Sequence, residues 1–168
     1  AFAAGADAVY IGGNRFGARA FADNLDEDVD IYVMVNKENA DTIIGQTLEM
    51  YEALSNHISV EYIDPTLNPK FHTQYTTESI TANSLIFVSE RRSKVLKEVE
   101  LYETYIDDAT GGFAKSGYDG EGQITSALAY VTNEEMPKVY LVEGHGELSL
   151  SSNFAGALDK ENVEYETI

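Results

Sequence analysis

The chain has 168 residues, of which 43% are hydrophobic, and it carries a formal net charge of −18 at pH 7. These values suit a folded protein of one ordinary domain or two small ones, and the negative charge argues against binding to nucleic acids or anionic membrane surfaces. The chain has no cysteine, which excludes thiol nucleophiles, disulfides and thiolate metal ligands.

The first 28 residues differ in character from those that follow. Gly5 fits a left-handed helix cap, and the residues from Ala8 to Ile11 fit a short strand. The acidic run DNLDEDVD then occupies residues 23–30; such a run is typical of a solvated loop, and it lacks the glycine and final glutamate of an EF-hand calcium loop. We therefore predict a domain boundary near Asp28, with residues 1–28 as a separate N-terminal fragment and acidic linker.

Residues 29–105 predict an α/β layer. The run VDIYVMV at residues 29–35 places aliphatic side chains on one face and Tyr32 and Met34 on the other, which indicates a strand covered on both sides. A helix over 36–56, a strand over 57–65, a short helix over 68–75 capped by Asn68 and a hairpin over 84–101 follow. The order β-α-β-α-β-β is that of a thioredoxin-like layer, without the Cys-x-x-Cys motif that its redox chemistry requires.

Residues 106–168 predict a Gly-rich connection and then the start of a second, Rossmann-like α/β layer. A helix over 121–135, a strand from Lys138 to Val142, a capped helix over 151–162 and a strand over 163–168 make up this part. No apolar run reaches the roughly 18 to 20 residues of a membrane span. Both ends resemble interruptions, so we expect the chain to be a soluble segment of a longer protein.

The stretch EGHGE at residues 143–147 is the most site-like part of the sequence. It follows a strand, and the carboxyl end of a strand in an α/β sheet is where ligands bind. Gly144 and Gly146 allow a tight turn, and His145 could titrate or bind a ligand between Glu143 and Glu147, which predicts a ligand-binding loop. The alternative is a solvated turn that needs two glycines. The three histidines are far apart and show no metal-ligand spacing, so we predict no metal and no cofactor.

Arg91, Arg92 and Lys94 form the basic cluster of an otherwise acidic chain. They lie at the tip and second strand of the predicted hairpin. Because a tip with charge opposite to its surroundings attracts acidic surfaces, we predict that these residues are a partner-docking point.

A family resemblance is carried by three blocks in order: SVEYIDP-x-x-NP at residues 59–69, E-x-x-ITSAL-x-YVT at 121–132 and PKVYLVEGHGE at 137–147. Residues 29–168 resemble the extracytoplasmic domain of the auxiliary proteins of uncharacterised ABC-type transport systems, a group that includes the gliding-motility auxiliary component. The resemblance implies a non-catalytic accessory domain on the extracytoplasmic face of the cell membrane, anchored by segments outside this chain. It implies permease and ATPase subunits as partners, and a second layer similar to amidotransferase-like folds, for which the cysteine nucleophile is absent.

The opening residues carry a different resemblance. AGADAVYIGGNRFGARAFADN, at residues 4–24, resembles the start of the U32, or collagenase-like, peptidase family, where it forms the first strand and loop of a barrel. One βα fragment cannot build an active site whose groups come from several strands, so we expect this stretch not to act with the rest. Two alternatives to the accessory domain follow: a fragment of a U32-type peptidase, and a small-ligand or sugar-binding module that uses residues 143–147.

Overall fold

The computed structural model describes residues 18–107, 111–144, 146, 149–160 and 162–168, and within them the chain is an α/β protein, as predicted. In chain order the elements are α1 (Ala18–Asp23), β1 (Val29–Met34), α2 (Thr42–Leu54), β2 (Ile58–Tyr62), β3 (Ser84–Val88), β4 (Ser93–Leu96), β5 (Tyr102–Ile106), β6 (Phe113–Tyr118), α3 (Gly120–Thr132), β7 (Lys138–Leu141), α4 (Ser152–Lys160) and β8 (Glu164–Thr167). Short 3-10 helices at Lys37–Asn39, Phe71–Gln74 and Glu98–Leu101 connect some of them.

Four strands form a mixed central sheet in the order β2-β1-β3-β4. β1 and β2 are parallel because α2 carries the chain back across the sheet between them, and their ladder begins with Val29 opposite Ile58. β3 is antiparallel to β1, and β4 is antiparallel to β3, which forms the predicted hairpin. The strands predicted between residues 29 and 101 are confirmed, while the thioredoxin-like description of this layer stays an interpretation.

Two helices of this layer differ from prediction. α2 begins at Thr42 rather than near residue 36, because a carboxylate oxygen of Asp41 accepts hydrogen bonds from two first-turn amides at 2.9 and 3.1 Å. The short helix predicted over 68–75 is the 3-10 helix Phe71–Gln74, with Lys70 in the N-cap position. Asn68 contributes its backbone carbonyl, which accepts from the Phe71 amide at 3.1 Å, so the predicted Asn68 side-chain cap is wrong.

Both faces of β1 are covered, as its residue pattern predicts. One face packs against α2 and α3 in the main core, whose largest fully buried side chains include Ile31, Ile44, Leu48, Tyr51, Phe87 and Leu128. The opposite face carries a smaller cluster of Met34, Ile63 and Ile86, which is covered by aromatic rings that include Tyr32 and Tyr75. The sheet is therefore the middle layer of the molecule.

A buried tyrosine joins the two helices on the main-core face. The Tyr51 hydroxyl of α2 donates to the backbone carbonyl of Glu121 at 3.0 Å and lies 2.6 Å from the Thr125 hydroxyl, both in α3. Burial raises the pKa of Tyr51 to about 12, so the ring stays neutral and keeps its donor at physiological pH.

α1 packs on the same core although it precedes the boundary predicted near Asp28. Ala22 is fully buried and Leu25 is 8% exposed, and both belong to the main core. The division into domains stays a prediction, but residues 18–25 share their core with the strands that follow. The strand predicted from Ala8 to Ile11 lies outside the described residues.

The Gly-rich connection predicted after residue 105 is wrong for residues 113–118, which form β6 antiparallel to β5. The Tyr102 and Tyr118 rings lie 5.2 Å apart at the base of this hairpin. The Tyr118 hydroxyl donates to the Thr47 hydroxyl of α2 at 2.9 Å. These contacts hold a glycine-containing strand in place through side chains distant in sequence, which local alternation does not reveal.

The C-terminal residues form the predicted β-α-β unit, with β7 parallel to β8 and α4 between them in the chain. Their register places Lys138 opposite Glu164 and Tyr140 opposite Glu166. Lys138 and Glu166 form an ion pair of 2.6 Å. This small sheet is separate from the central one among the described residues.

Replacing Ala22 by aspartate is expected to lower the free energy of unfolding by about 3 kcal/mol or more, because it buries an unpaired carboxylate in the main core. Urea unfolding followed by circular dichroism measures the change. Ala53→Asp is the matched control, since Ala53 is exposed on α2 and this variant should stay within about 1 kcal/mol of the parent. Equal losses in the two variants would show that α1 is not part of the core.

Candidate functional site

A groove of about 410 Å³ lies along the outer edge of β4, and we call it the β4 groove. Tyr75 and Glu78, after the 3-10 helix Phe71–Gln74, line one wall. Residues 93–95 of β4 form the floor, and Tyr130 of α3 and residues 162–164, which lead into β8, line the other wall. The central sheet and the C-terminal unit therefore meet at this groove.

Asn162 organises the wall nearest α3. Its amide nitrogen donates to the backbone carbonyl of Ser126 at 2.7 Å and to the Ser126 hydroxyl at 2.8 Å, and its amide oxygen accepts from the Lys94 ammonium. Lys94 also lies 4.9 Å from the centre of the Tyr130 ring, a cation–π distance. Asn162 has a φ of 55°, a left-handed conformation that asparagine tolerates better than most residues.

The opposite wall rests on the aromatic cluster of the second sheet face. The Tyr75 ring stacks on Tyr32 with centroids 5.7 Å apart, and the Ser93 hydroxyl donates to the Tyr75 carbonyl at 3.1 Å. Burial, and to a smaller extent a hydrogen bond with Tyr75, raises the pKa of Tyr32 to about 12. At the end of this wall Glu78 pairs with Lys97 at 2.8 Å, and this contact raises the pKa of Lys97.

The groove combines chemical groups that suit binding. Tyrosine rings offer apolar surface with a polar edge, Asn162 and Ser93 offer hydrogen-bonding groups, and Glu78, Glu164 and Lys94 supply charge. Such a mixture of aromatic surface and a few placed polar groups is typical of ligand and peptide sites.

Of the three predicted docking residues, only Lys94 lines the β4 groove. Arg91 bonds Glu27 at 2.7 Å and Glu134 at 3.2 Å, and these carboxylates raise its pKa. A guanidinium nitrogen of Arg92 donates to the Asn133 carbonyl at 2.8 Å, just past the end of α3. A cation there interacts favourably with the negative end of the helix dipole. The docking role stays a prediction, and these intramolecular contacts give both arginines a structural role.

The predicted ligand loop is described in part. Gly144 and Gly146 have φ values of 104° and 90°, so the predicted need for two glycines in this turn is confirmed. The Glu143 amide donates to the Ile168 carbonyl at 3.0 Å, which extends the β7–β8 ladder. His145 and Glu147 lie outside the described residues. The other three residues are absent from the β4 groove lining, and ligand binding by this loop stays a prediction.

A second groove, of about 430 Å³, lies between α1 and the end of α3. Its described lining includes Phe21, Leu25 and Thr132, and Asp26 is the one charged residue of that described lining. None of its described lining residues lies in a strand, and they offer fewer binding groups than those of the β4 groove.

Lys94 is the one sequence-based candidate in the described lining of the β4 groove, and the residues that sequence reasoning missed include Tyr75, Tyr130 and Asn162. Tyr130 lies beside the apolar face of α3, so in the sequence it resembles an ordinary core residue. Asn162 had a usable signal, because an asparagine just after a helix often takes a left-handed conformation. Its link to Lys94 spans 68 positions, and no local pattern predicts such a pairing.

A family model described as a domain of unknown function, DUF7088, matches residues 17–103, more than half of the chain. The chain belongs to this family. The DUF7088 match runs from just before α1 into β5, so it crosses the boundary predicted near Asp28. β4 lies within the match, whereas α3 and residues 162–164 lie after it. No curated protein and no solved structure matches the chain.

Two further properties concern the described part of this DUF7088 chain. None of its helices is both long enough and apolar enough to cross a membrane. Nor do its histidine, aspartate and glutamate side chains come together in groups of three or more that could hold a metal ion.

Asn162→Gly is expected to loosen β8 from α3. Glycine keeps the positive φ without strain, so the variant removes the amide contacts with Ser126 and Lys94 and little else. We expect a loss of about 1–2 kcal/mol and faster amide hydrogen exchange in β8. Asn83→Gly is the matched control: Asn83 has a φ of 59° and accepts from the Asp41 amide. Unchanged exchange in β8 of Asn162→Gly would contradict the anchoring role.

Proposed function

We propose that the chain is a non-catalytic accessory domain of an ABC-type transport system and that it binds a partner protein with the β4 groove. The domain lies on the extracytoplasmic face of the cell membrane in this proposal. It assembles with the permease and ATPase subunits of the same system, and its direct contact is with the permease.

The β4 groove is the observation that carries this proposal. It is a concave surface beside a strand edge, with two tyrosine rings and charges of both signs along its walls. Tyrosine is among the residues that contribute most to protein interfaces. A groove built where two parts of the fold meet also provides the rigid support that a binding site requires.

The resemblance of residues 29–168 to transport-system auxiliary proteins supports the proposed role. Its three blocks fall on β2 and the segment after it, on α3, and on β7 with the loop that follows. The α3 block contributes Tyr130 to the β4 groove, and Met136, which lines the groove too, directly precedes the block that contains β7.

Glu164→Lys is expected to lower the amount of permease that co-purifies with the tagged protein from detergent-solubilised membranes by about fivefold, because it reverses a charge in the groove. Quantitative mass spectrometry of ABC permease and ATPase peptides provides the measurement. Glu61→Lys makes the same charge change at an exposed position of β2, the strand at the opposite edge of the central sheet from β4. This variant should leave permease recovery unchanged. Permease peptides at the level of an untagged strain would contradict the proposal.

A single introduced cysteine tests the location, because these 168 residues contain none. Leu67 is 77% exposed, so the Leu67→Cys thiol should react with a membrane-impermeant maleimide in intact cells as fully as in permeabilised cells. Leu128→Cys is the buried control, since Leu128 is fully buried in the main core, and it should stay unlabelled. Labelling of Leu67→Cys only after permeabilisation would place the domain on the cytoplasmic side.

A further inference from the structure

We propose that the β4 groove binds an extended segment of the partner protein, which adds to the four-stranded central sheet as a further strand beside β4. This inference rests on the function proposed above and specifies how the partner is bound. It also specifies the chemistry of the segment: β-branched residues that alternate with lysine or arginine.

The hydrogen-bonding pattern of the β3–β4 hairpin shows which backbone groups face the groove. The Ser89 amide donates to the Arg92 carbonyl at 3.1 Å, and Phe87 lies opposite Lys94 two positions further along. Hydrogen-bonded and non-hydrogen-bonded pairs alternate in an antiparallel ladder. The amides and carbonyls of Ser93 and Val95 therefore point away from β3, toward the groove.

β4 has no strand on its outer side among the described residues, and these backbone groups have no partner there. An unpaired strand edge is a template for another strand. Recognition by strand addition takes its affinity from such main-chain groups and its specificity from pockets for alternate side chains.

At the opposite edge of the central sheet, a side chain occupies one of the outward backbone groups. There the Val60 amide of β2 points outward, and a carboxylate oxygen of Glu52 accepts its hydrogen bond at 3.1 Å. Acidic side chains that occupy an edge are a common device against unwanted pairing. Of the two edges of the central sheet, β2 therefore has an outward amide that is already bonded, whereas the described residues leave the outward groups of β4 available.

The groove walls indicate the side chains of the added strand. Successive side chains of a strand point to opposite faces, so one set would meet Val95 and Tyr75 and the other would meet Tyr130 and Glu164. The described lining holds two carboxylates, Glu164 and Glu78, of which Glu78 pairs with Lys97, and one ammonium, Lys94, which bonds Asn162. With the net charge of −18, this favours a basic, β-branched segment over an acidic one and opposes a second copy of this chain.

The test uses the isotope-labelled 168-residue chain and a short capped peptide in which valine alternates with lysine and threonine. NMR titration should show binding, with slower hydrogen exchange at the Ser93 and Val95 amides. The same peptide with alternate amides N-methylated keeps its side chains but cannot pair with the edge, and it should not bind. An acidic peptide, with glutamate in place of lysine, should bind at least about tenfold more weakly.

Val95→Pro removes the outward amide at an edge position where proline is tolerated, and it should weaken peptide binding about three- to tenfold. Val95→Thr is the matched control, because it keeps the branched shape and the amide. Thermal unfolding of both variants checks that the fold is intact.

Equal binding of the peptide and its N-methylated form would overturn strand addition, as would binding without protection of Ser93 and Val95. Absence of binding by the basic peptide would overturn the proposed segment. Protection of the same amides in the chain alone, rising with concentration alongside dimer formation in light scattering, would replace the partner by a second copy. Permease recovery from membranes separates the two proposals: recovery that survives Val95→Pro leaves the accessory role standing without strand addition. Peptide binding without permease recovery would leave strand addition standing without the accessory role.

Discussion

The packing of α3 against the central sheet is the contact on which the other parts of the structure depend. Its apolar face is fully buried in the main core, through Ile124, Ala127, Leu128 and Val131, and at about 1.5–3 kcal/mol for each large apolar side chain this burial is a major contribution to stability. α3 also receives the Tyr51 hydroxyl from α2, the Ser89 hydroxyl and Arg92 guanidinium from the β3–β4 turn, and the Asn162 amide from the C-terminal unit. A shift of α3 would therefore move the elements that contact it, and with them the wall of the β4 groove that contains Tyr130.

The way in which the C-terminal unit is attached explains why a groove exists. β8 pairs with β7 and with no strand of the central sheet among the described residues. The described contacts at its start are made by side chains, with Asn162 bonding Ser126 of α3 and Lys94 of β4. Side chains reach further than backbone hydrogen bonds, so the unit is held beside β4 without occupying its edge. At the opposite edge of the sheet, a carboxylate oxygen of Glu52 accepts the outward hydrogen bond of the Val60 amide of β2.

The three residues of the basic cluster do not share one environment. The positive charge of Arg91, Arg92 and Lys94 in an acidic chain predicted a docking point. Charge alone, however, does not distinguish a side chain that faces a partner from one that faces its own chain. Arg91 and Arg92 turn to Glu27, Glu134 and the end of α3, while Lys94 turns to the groove. Arg92 and Lys94 are two residues apart, so both extend toward the α3 side of the sheet. They contact different groups because they lie at different positions along α3, and these groups belong to residues about 40 to 70 positions away.

The secondary structure was largely predictable, because alternating and helical patterns of apolar residues follow directly from the geometry of strands and helices. The strands over 29–101, the apolar face of α3 and the closing β-α-β unit were found in this way, as was the need for glycine at Gly144 and Gly146. The tertiary structure alone decided where α1 packs, that residues 113–118 form a strand, and that Tyr75, Tyr130 and Asn162 share a groove. These depend on contacts between distant residues, each worth about a kcal/mol, and such contacts leave no periodic trace in the sequence. The accessible edge of β4 has the same origin, since a strand becomes an edge only when the whole sheet has been assembled.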